Sequence, residues 1–140
     1  MRRSVNSNCV VLVALFCAAT VGCGGSISAP RTVPTSGTVL FKGKPTGGVK
    51  VTLHPKFNMK FTPNGVTGND GRFNLSTGAP MDGAPPGEYS VTFELMQAGA
   101  DERGRDTDFD VWKGKYADVD TGLRVTVGTS ATTLEPFSLD

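Results

Sequence analysis

Apolar and polar residues take turns along most of the chain after Thr35. Val39 and Phe41 stand two apart. Val49, Val51 and Leu53 face one way, and Lys50, Thr52 and His54 the other. Phe73 and Leu75 alternate with Arg72, Asn74 and Ser76. Tyr89, Val91, Phe93 and Leu95 alternate with Glu88, Ser90, Thr92 and Glu94, and Leu123, Val125 and Val127 with Arg124 and Thr126. A period of two belongs to extended chain, and one apolar face against one polar face predicts antiparallel sheets with a wet side each. Turn-forming clusters separate the runs: Lys42-Gly43-Lys44-Pro45, Thr46-Gly47-Gly48, Pro85-Pro86-Gly87 and Val127-Gly128-Thr129. From Thr132 to Leu139 the alternation breaks, because Leu134 is out of phase with Phe137 and Leu139. Glu135-Pro136 there reads as a bulge or edge position, since proline cannot donate to a ladder. The pattern predicts six or seven strands, no helix and a two-layer sandwich.

The stretch Gly68-Asn69-Asp70-Gly71-Arg72-Phe73-Asn74-Leu75 poses a choice between a calcium loop and a turn. With Gly71 at the sixth place of an EF-hand loop, Val66 falls at the first, Gly68 at the third and Thr77 at the twelfth. Only Asp70 then offers a carboxylate, so the loop fails. Asp-Gly between Val66-Thr67 and Phe73-Leu75 instead suits a tight hairpin whose two central residues tolerate positive φ.

Taken together, the segments SGTVLFKGKPTGGVKVTLHP, VTGNDGRFNL, GAPPGEYSVTF, KYAD and LRVTV resemble the carboxypeptidase regulatory-like domains. Small bacterial lipoproteins with one such domain are the nearest likeness, over residues 35–140. The resemblance implies a seven-stranded antiparallel, transthyretin-like (prealbumin-like) β-sandwich with no defined catalytic residues. The KFNMKF insert and the shifted last strand depart from the pattern. The same fold group holds a 5-hydroxyisourate hydrolase that uses several histidines, and a related sandwich holds dioxygenases that bind iron through two Tyr and two His. This chain has one histidine, which does not furnish either set.

Residues 1–22 read as a signal peptide. Arg2 and Arg3 precede an 11-residue apolar run from Cys9 to Ala19, well short of the ~20 residues a spanning helix needs. Thr20-Val21-Gly22-Cys23 resembles a lipobox, with Thr20 where leucine is usual, and the resemblance implies acylation of Cys23. The alternative is an ordinary cleaved signal with an incidental cysteine. Acyl chains add about 0.8 kcal/mol of membrane affinity per buried methylene, and two or more make a stable anchor. Residues 23–34 then form a lipidated cysteine and a flexible linker with stiffer proline points. The three cysteines, Cys9, Cys17 and Cys23, all precede Gly24. The domain at 35–140 therefore has neither a disulfide framework nor a thiolate metal set, and an apolar core must hold it together.

Charge narrows the partners. Lys+Arg 14 against Asp+Glu 13 leaves +1, far from the basic footprint of a nucleic-acid binder. His54, on a polar strand face before Pro55, is read as an exposed or turn-capping residue, and a lone histidine does not make a triad. Asp106, Asp108 and Asp110 have the spacing of a weak calcium site, but Val111 and Ala117 stand at the sixth and twelfth places, so a solvated loop is the plainer reading. Phe57 and Phe61 either tuck into the core or form an apolar, basic edge for a partner or an anionic membrane surface. Trp112, near Phe109 and Tyr116, either packs the long connection or stacks on a sugar. The expectation is a non-catalytic cell-envelope module, without cofactor, held to the membrane by its lipid. It would face the periplasm or cell surface and contact an envelope protein or glycan. The alternatives are a carbohydrate-binding module using exposed aromatics and a weak calcium-binding surface domain.

Overall fold

The computed structural model describes residues 30–120 and 123–140. Residues 1–22, read as a signal peptide, Cys23 and most of the expected linker lie outside them. The described residues are all-β, with no helix and ten strand segments. These are β1 (Thr35–Phe41), β2 (Lys44–Pro45), β3 (Val49–Pro55), β4 (Asn64–Val66), β5 (Arg72–Asn74), β6 (Gly87–Ala100), β7 (Asp106–Asp110), β8 (Arg124–Val127), β9 (Thr132–Thr133) and β10 (Phe137–Leu139). No helix among these residues is long and apolar enough to cross a membrane.

The strands form two sheets. In the first, β1 is central, with β5 and β2 antiparallel to it and β9 and β10 parallel to it. In the second, β4, β3 and β6 lie in order, and both β7 and β8 pair with β6. The expectation of purely antiparallel sheets is therefore corrected at β1. The last run comes back along β1 in the same direction, which a hairpin cannot achieve and a long crossover can. The bulge at Glu135-Pro136 is present: Ser36 pairs with Thr133 and Val39 with Phe137, so the register slips by one residue between them. That slip lets Leu134, Phe137 and Leu139 all reach the core. It also divides one run into β9 and β10, which is part of why ten segments stand where six or seven strands were expected.

The core lies between the sheets. Val39, Phe73, Leu75, Phe137 and Leu139 from the first meet Val49, Val51, Leu53, Tyr89, Val91, Phe93 and Val127 from the second. The Phe137 ring bridges them, 5.0 Å from Phe93 and 6.3 Å from Phe73 between centroids. Aromatic pairs at such offsets add about 0.5–1.5 kcal/mol beyond the area they bury. Tyr89 is fully buried, and its hydroxyl donates to the Pro85 carbonyl at 2.7 Å. Burial pushes its pKa up to about 12, because the phenolate would lose its hydration.

The Gly68–Arg72 turn joins the two sheets, since β4 pairs with β3 while β5 pairs with β1. The Gly71 N–H donates to the Gly68 carbonyl, and the Gly68 N–H to the Arg72 carbonyl, both at 2.8 Å. Only Gly71 takes positive φ, 74°; Asp70 does not, contrary to the two-residue turn expected. The loop is therefore a three-residue type, closed by a left-handed glycine. An Asp70 oxygen accepts from the Arg72 N–H at 3.1 Å, so the carboxylate braces the turn. Beyond the turn, Asn64 and Ser76 exchange both backbone hydrogen bonds and stitch the sheets together along this edge.

Candidate functional site

The expected site residues fall in three separate places. Cys23 lies outside the described residues. Phe57 and Phe61 lie on the loop between β3 and β4, not on a strand. The Phe57 ring stands edge-on to Tyr89 at 5.5 Å and lies across Gly87, where a Cβ would be 2.3 Å from it. It remains 40% exposed. Phe61 is half-buried, and Met59 between them packs on the core.

Trp112 is half-buried in the connection after β7, with its ring 5.3 Å from Phe41 and 5.0 Å from Tyr116. Lys115 Nζ lies over the Tyr116 ring at 4.9 Å. Both Lys115 and the Tyr116 hydroxyl also donate to the Asp140 main-chain oxygen.

Asp106, Asp108 and Asp110 are strand residues of β7, not a loop, which corrects the plainer reading. Alternation places them on one side of a two-stranded ribbon formed with the end of β6. Asp106 and Asp108 are exposed. The Asp110 carboxylate is committed to the backbone, accepting from Gly114 at 2.7 Å, Leu95 at 3.0 Å and Trp112 at 3.1 Å. Slight burial pushes its pKa up, but the three N–H donors outweigh it and hold the carboxyl below the ordinary range. Among the described residues no three His, Cys, Asp or Glu side chains converge as a metal set.

A different cluster appears on the outer face of the second sheet. Ser90 pairs with His54 on one side and Arg124 on the other, which sets the row His54–Ser90–Arg124. The next row is Lys56–Glu88–Thr126. Glu88 pairs with Thr126, and the Lys56 N–H donates to the Glu88 carbonyl at 3.0 Å. Lys56, Glu88, Arg124 and Thr126, with Tyr89 and Val125, line a cavity of about 230 Å³. Two further cavities lie elsewhere. One of about 350 Å³ sits on β1 and β5 around Arg72, and one of about 260 Å³ lies on the β6–β7 ribbon.

The His54 ring nitrogen Nε2 is 2.9 Å from Thr92 Oγ1, so the ring leans along β6 away from the cavity. Burial lowers its pKa most, nearby Lys56 lowers it further, and Glu94 partly opposes them. His54 is thus held toward its neutral form. Lys50 and Glu94 pair at 3.3 Å farther along the same face. Ser90 and Thr92 are buried, although alternation assigned them to a wet face. They are short side chains in a central strand, shielded by longer neighbours on both flanks.

His54 stood out in the sequence and Lys56 only as part of the basic KFNMKF insert, while Glu88, Ser90 and Arg124 read only as polar positions. Their signal is the matched alternation of three strands. It becomes a cluster only once the register between residues roughly 35–70 positions apart is known.

No family model matches the chain, and no curated protein matches it. Among solved structures, a 9R-lipoxygenase from Cyanothece PCC8801 aligns at 16% identity with a TM-score of 0.44, covering 81% of this chain and 17% of the lipoxygenase. The dioxygenase domain of a dioxygenase carbohydrate-binding protein fusion from Streptomyces sp. SirexAA-E aligns at 24% identity with a TM-score of 0.41. It covers 82% of this chain and 84% of that domain. The chain spans less than a fifth of the lipoxygenase. Likenesses at these scores carry no conclusion about its chemistry.

Proposed function

We propose that this chain is a non-catalytic cell-envelope lipoprotein whose transthyretin-like β-sandwich serves as a binding or structural module. The observation that carries the reading is the division of the domain into a packed interior and polar, cavity-bearing strand faces. Such faces present fixed side chains without a lid or hinge, which suits recognition. The one histidine of the chain is engaged with Thr92, on a strand face rather than in a cleft. The carboxypeptidase regulatory-like resemblance supports the same assignment, as does the buried Tyr89 of the GEYSV segment. The lipobox-like Thr20-Val21-Gly22-Cys23 supports anchoring.

Intact-mass spectrometry of the protein from native membranes tests the anchor. The expected species begins at Cys23 and carries a diacylglyceryl mass, and Cys23→Ser abolishes both the mass and membrane partitioning. An unmodified chain cleaved elsewhere overturns the lipoprotein reading.

A further inference from the structure

We propose that the cavity between Lys56, Glu88 and Arg124 is a binding subsite for a sugar acid, a single uronate unit carrying one carboxylate and several hydroxyls. The inference rests on the binding-module reading and deepens it by naming a ligand class.

Charge comes first. Among the described residues the ion pairs are Lys50–Glu94 and Arg105–Asp101. Lys56 and Arg124 therefore line one cavity with no carboxylate in ion-pair contact, and Glu88 shares its wall. Two cations against one carboxylate leave a place for one negative charge. A dianion such as phosphate would gain from the cations but meet Glu88 as a like charge. The planar arginine fork matches a planar carboxylate through two parallel hydrogen bonds, and lysine adds a point charge from the other side.

Hydrogen bonding then selects what is attached to the carboxylate. A carboxylate such as Glu88 only accepts, and the Thr126 hydroxyl both donates and accepts. A ring of hydroxyls supplies donors as well as acceptors, whereas a simple aliphatic carboxylate supplies no donor for Glu88.

Size agrees. About 230 Å³ is below the ~300 Å³ at which pockets for drug-sized ligands begin, so the cavity takes one ring rather than a chain. Backbone pairing fixes where Glu88, Arg124 and Thr126 start, with Lys56 just past β3, so only side chains need ordering on binding.

The test uses the full chain in detergent, isotope-labelled and titrated separately with glucuronate, glucose, acetate and inorganic phosphate while amide shifts are followed. The expected result is millimolar binding of glucuronate, with shifts confined to the ends of β3, β6 and β8 around the cavity. Arg124→Gln and Lys56→Gln, both at exposed positions, each weaken it at least about tenfold with the melting temperature unchanged. Glu88→Gln strengthens phosphate binding and erases the preference for glucuronate over acetate. Glucose binding as tightly as glucuronate overturns the proposal, as does phosphate binding more tightly than glucuronate to the unsubstituted protein. No effect of Arg124→Gln, or no shift at tens of millimolar glucuronate, also overturns it. The mass of the anchored form is measured separately, so failure here and failure of the lipoprotein reading remain distinguishable.

Discussion

The two halves of β6 make opposite use of one continuous strand. From Tyr89 to Phe93 every residue is buried, whereas Met96, Gln97, Ala98 and Ala100 stand in solvent. The first half has β3 on one flank, β8 on the other and the first sheet beneath it. The second half pairs only with β7, in a ribbon where Phe109 is 48% exposed and lies across Gly99. Asp110 marks the junction, its carboxylate taking the Leu95 N–H where the chain leaves the body. Backbone pairing is continuous across that junction, but burial is not. Tertiary contacts, rather than strand formation itself, therefore hold the stability of the domain.

Substitutions placed along β6 and its partners sharpen this contrast. Phe93→Ala should cost about 3–5 kcal/mol in denaturant unfolding, because it opens a cavity against Phe137. Tyr89→Phe should cost about 1–2 kcal/mol, since the Pro85 carbonyl loses its donor in a buried place.

At the junction, Asp110→Ala should cost about 1 kcal/mol near neutral pH. Its carboxyl is held below the ordinary range when folded, so its stabilisation is complete above about pH 4 and is lost as acid protonates it. The difference between variant and parent should therefore shrink on acidification.

His54 titrates to the opposite charge but gives the same direction of effect. Its folded pKa is lowered, so between that value and the ordinary ~6.5 the unfolded chain binds more protons, and stability falls as pH drops. His54→Gln should flatten thermal stability against pH between about 7 and 5. The smallest effect is expected from Phe109→Ala in the ribbon, below about 0.5 kcal/mol. A Phe109→Ala loss comparable with that of Phe93→Ala would abolish the contrast.

Much of the body was legible because its strands carry one apolar face each. Val49, Val51 and Leu53 on β3, and Tyr89, Val91 and Phe93 on β6, point inward as alternation requires. The bulge at Glu135-Pro136 was legible from proline and a phase error. The ribbon was not, because in Met96-Gln97-Ala98-Gly99-Ala100 the apolar positions are out of phase with Tyr89–Leu95 and mostly small, and the segment is held as a strand by backbone bonds to β7. The parallel pairing of β1 escaped notice for a related reason: residue spacing along one run says nothing about the direction of its neighbour. The Lys56–Glu88–Arg124 cluster was hidden likewise, since long-range register alone brings it together. Among the aromatics, the position of Trp112 against Phe41 links residues far apart in sequence, and no local pattern announces it.

The parallel pairing of β1 with β9 and β10 has a kinetic consequence. Thr35 finds its partner Thr132 roughly a hundred positions downstream, a contact with a large loop-closure cost that forms late. Until that segment arrives, one flank of the central strand has no neighbour, and the first sheet stays incomplete.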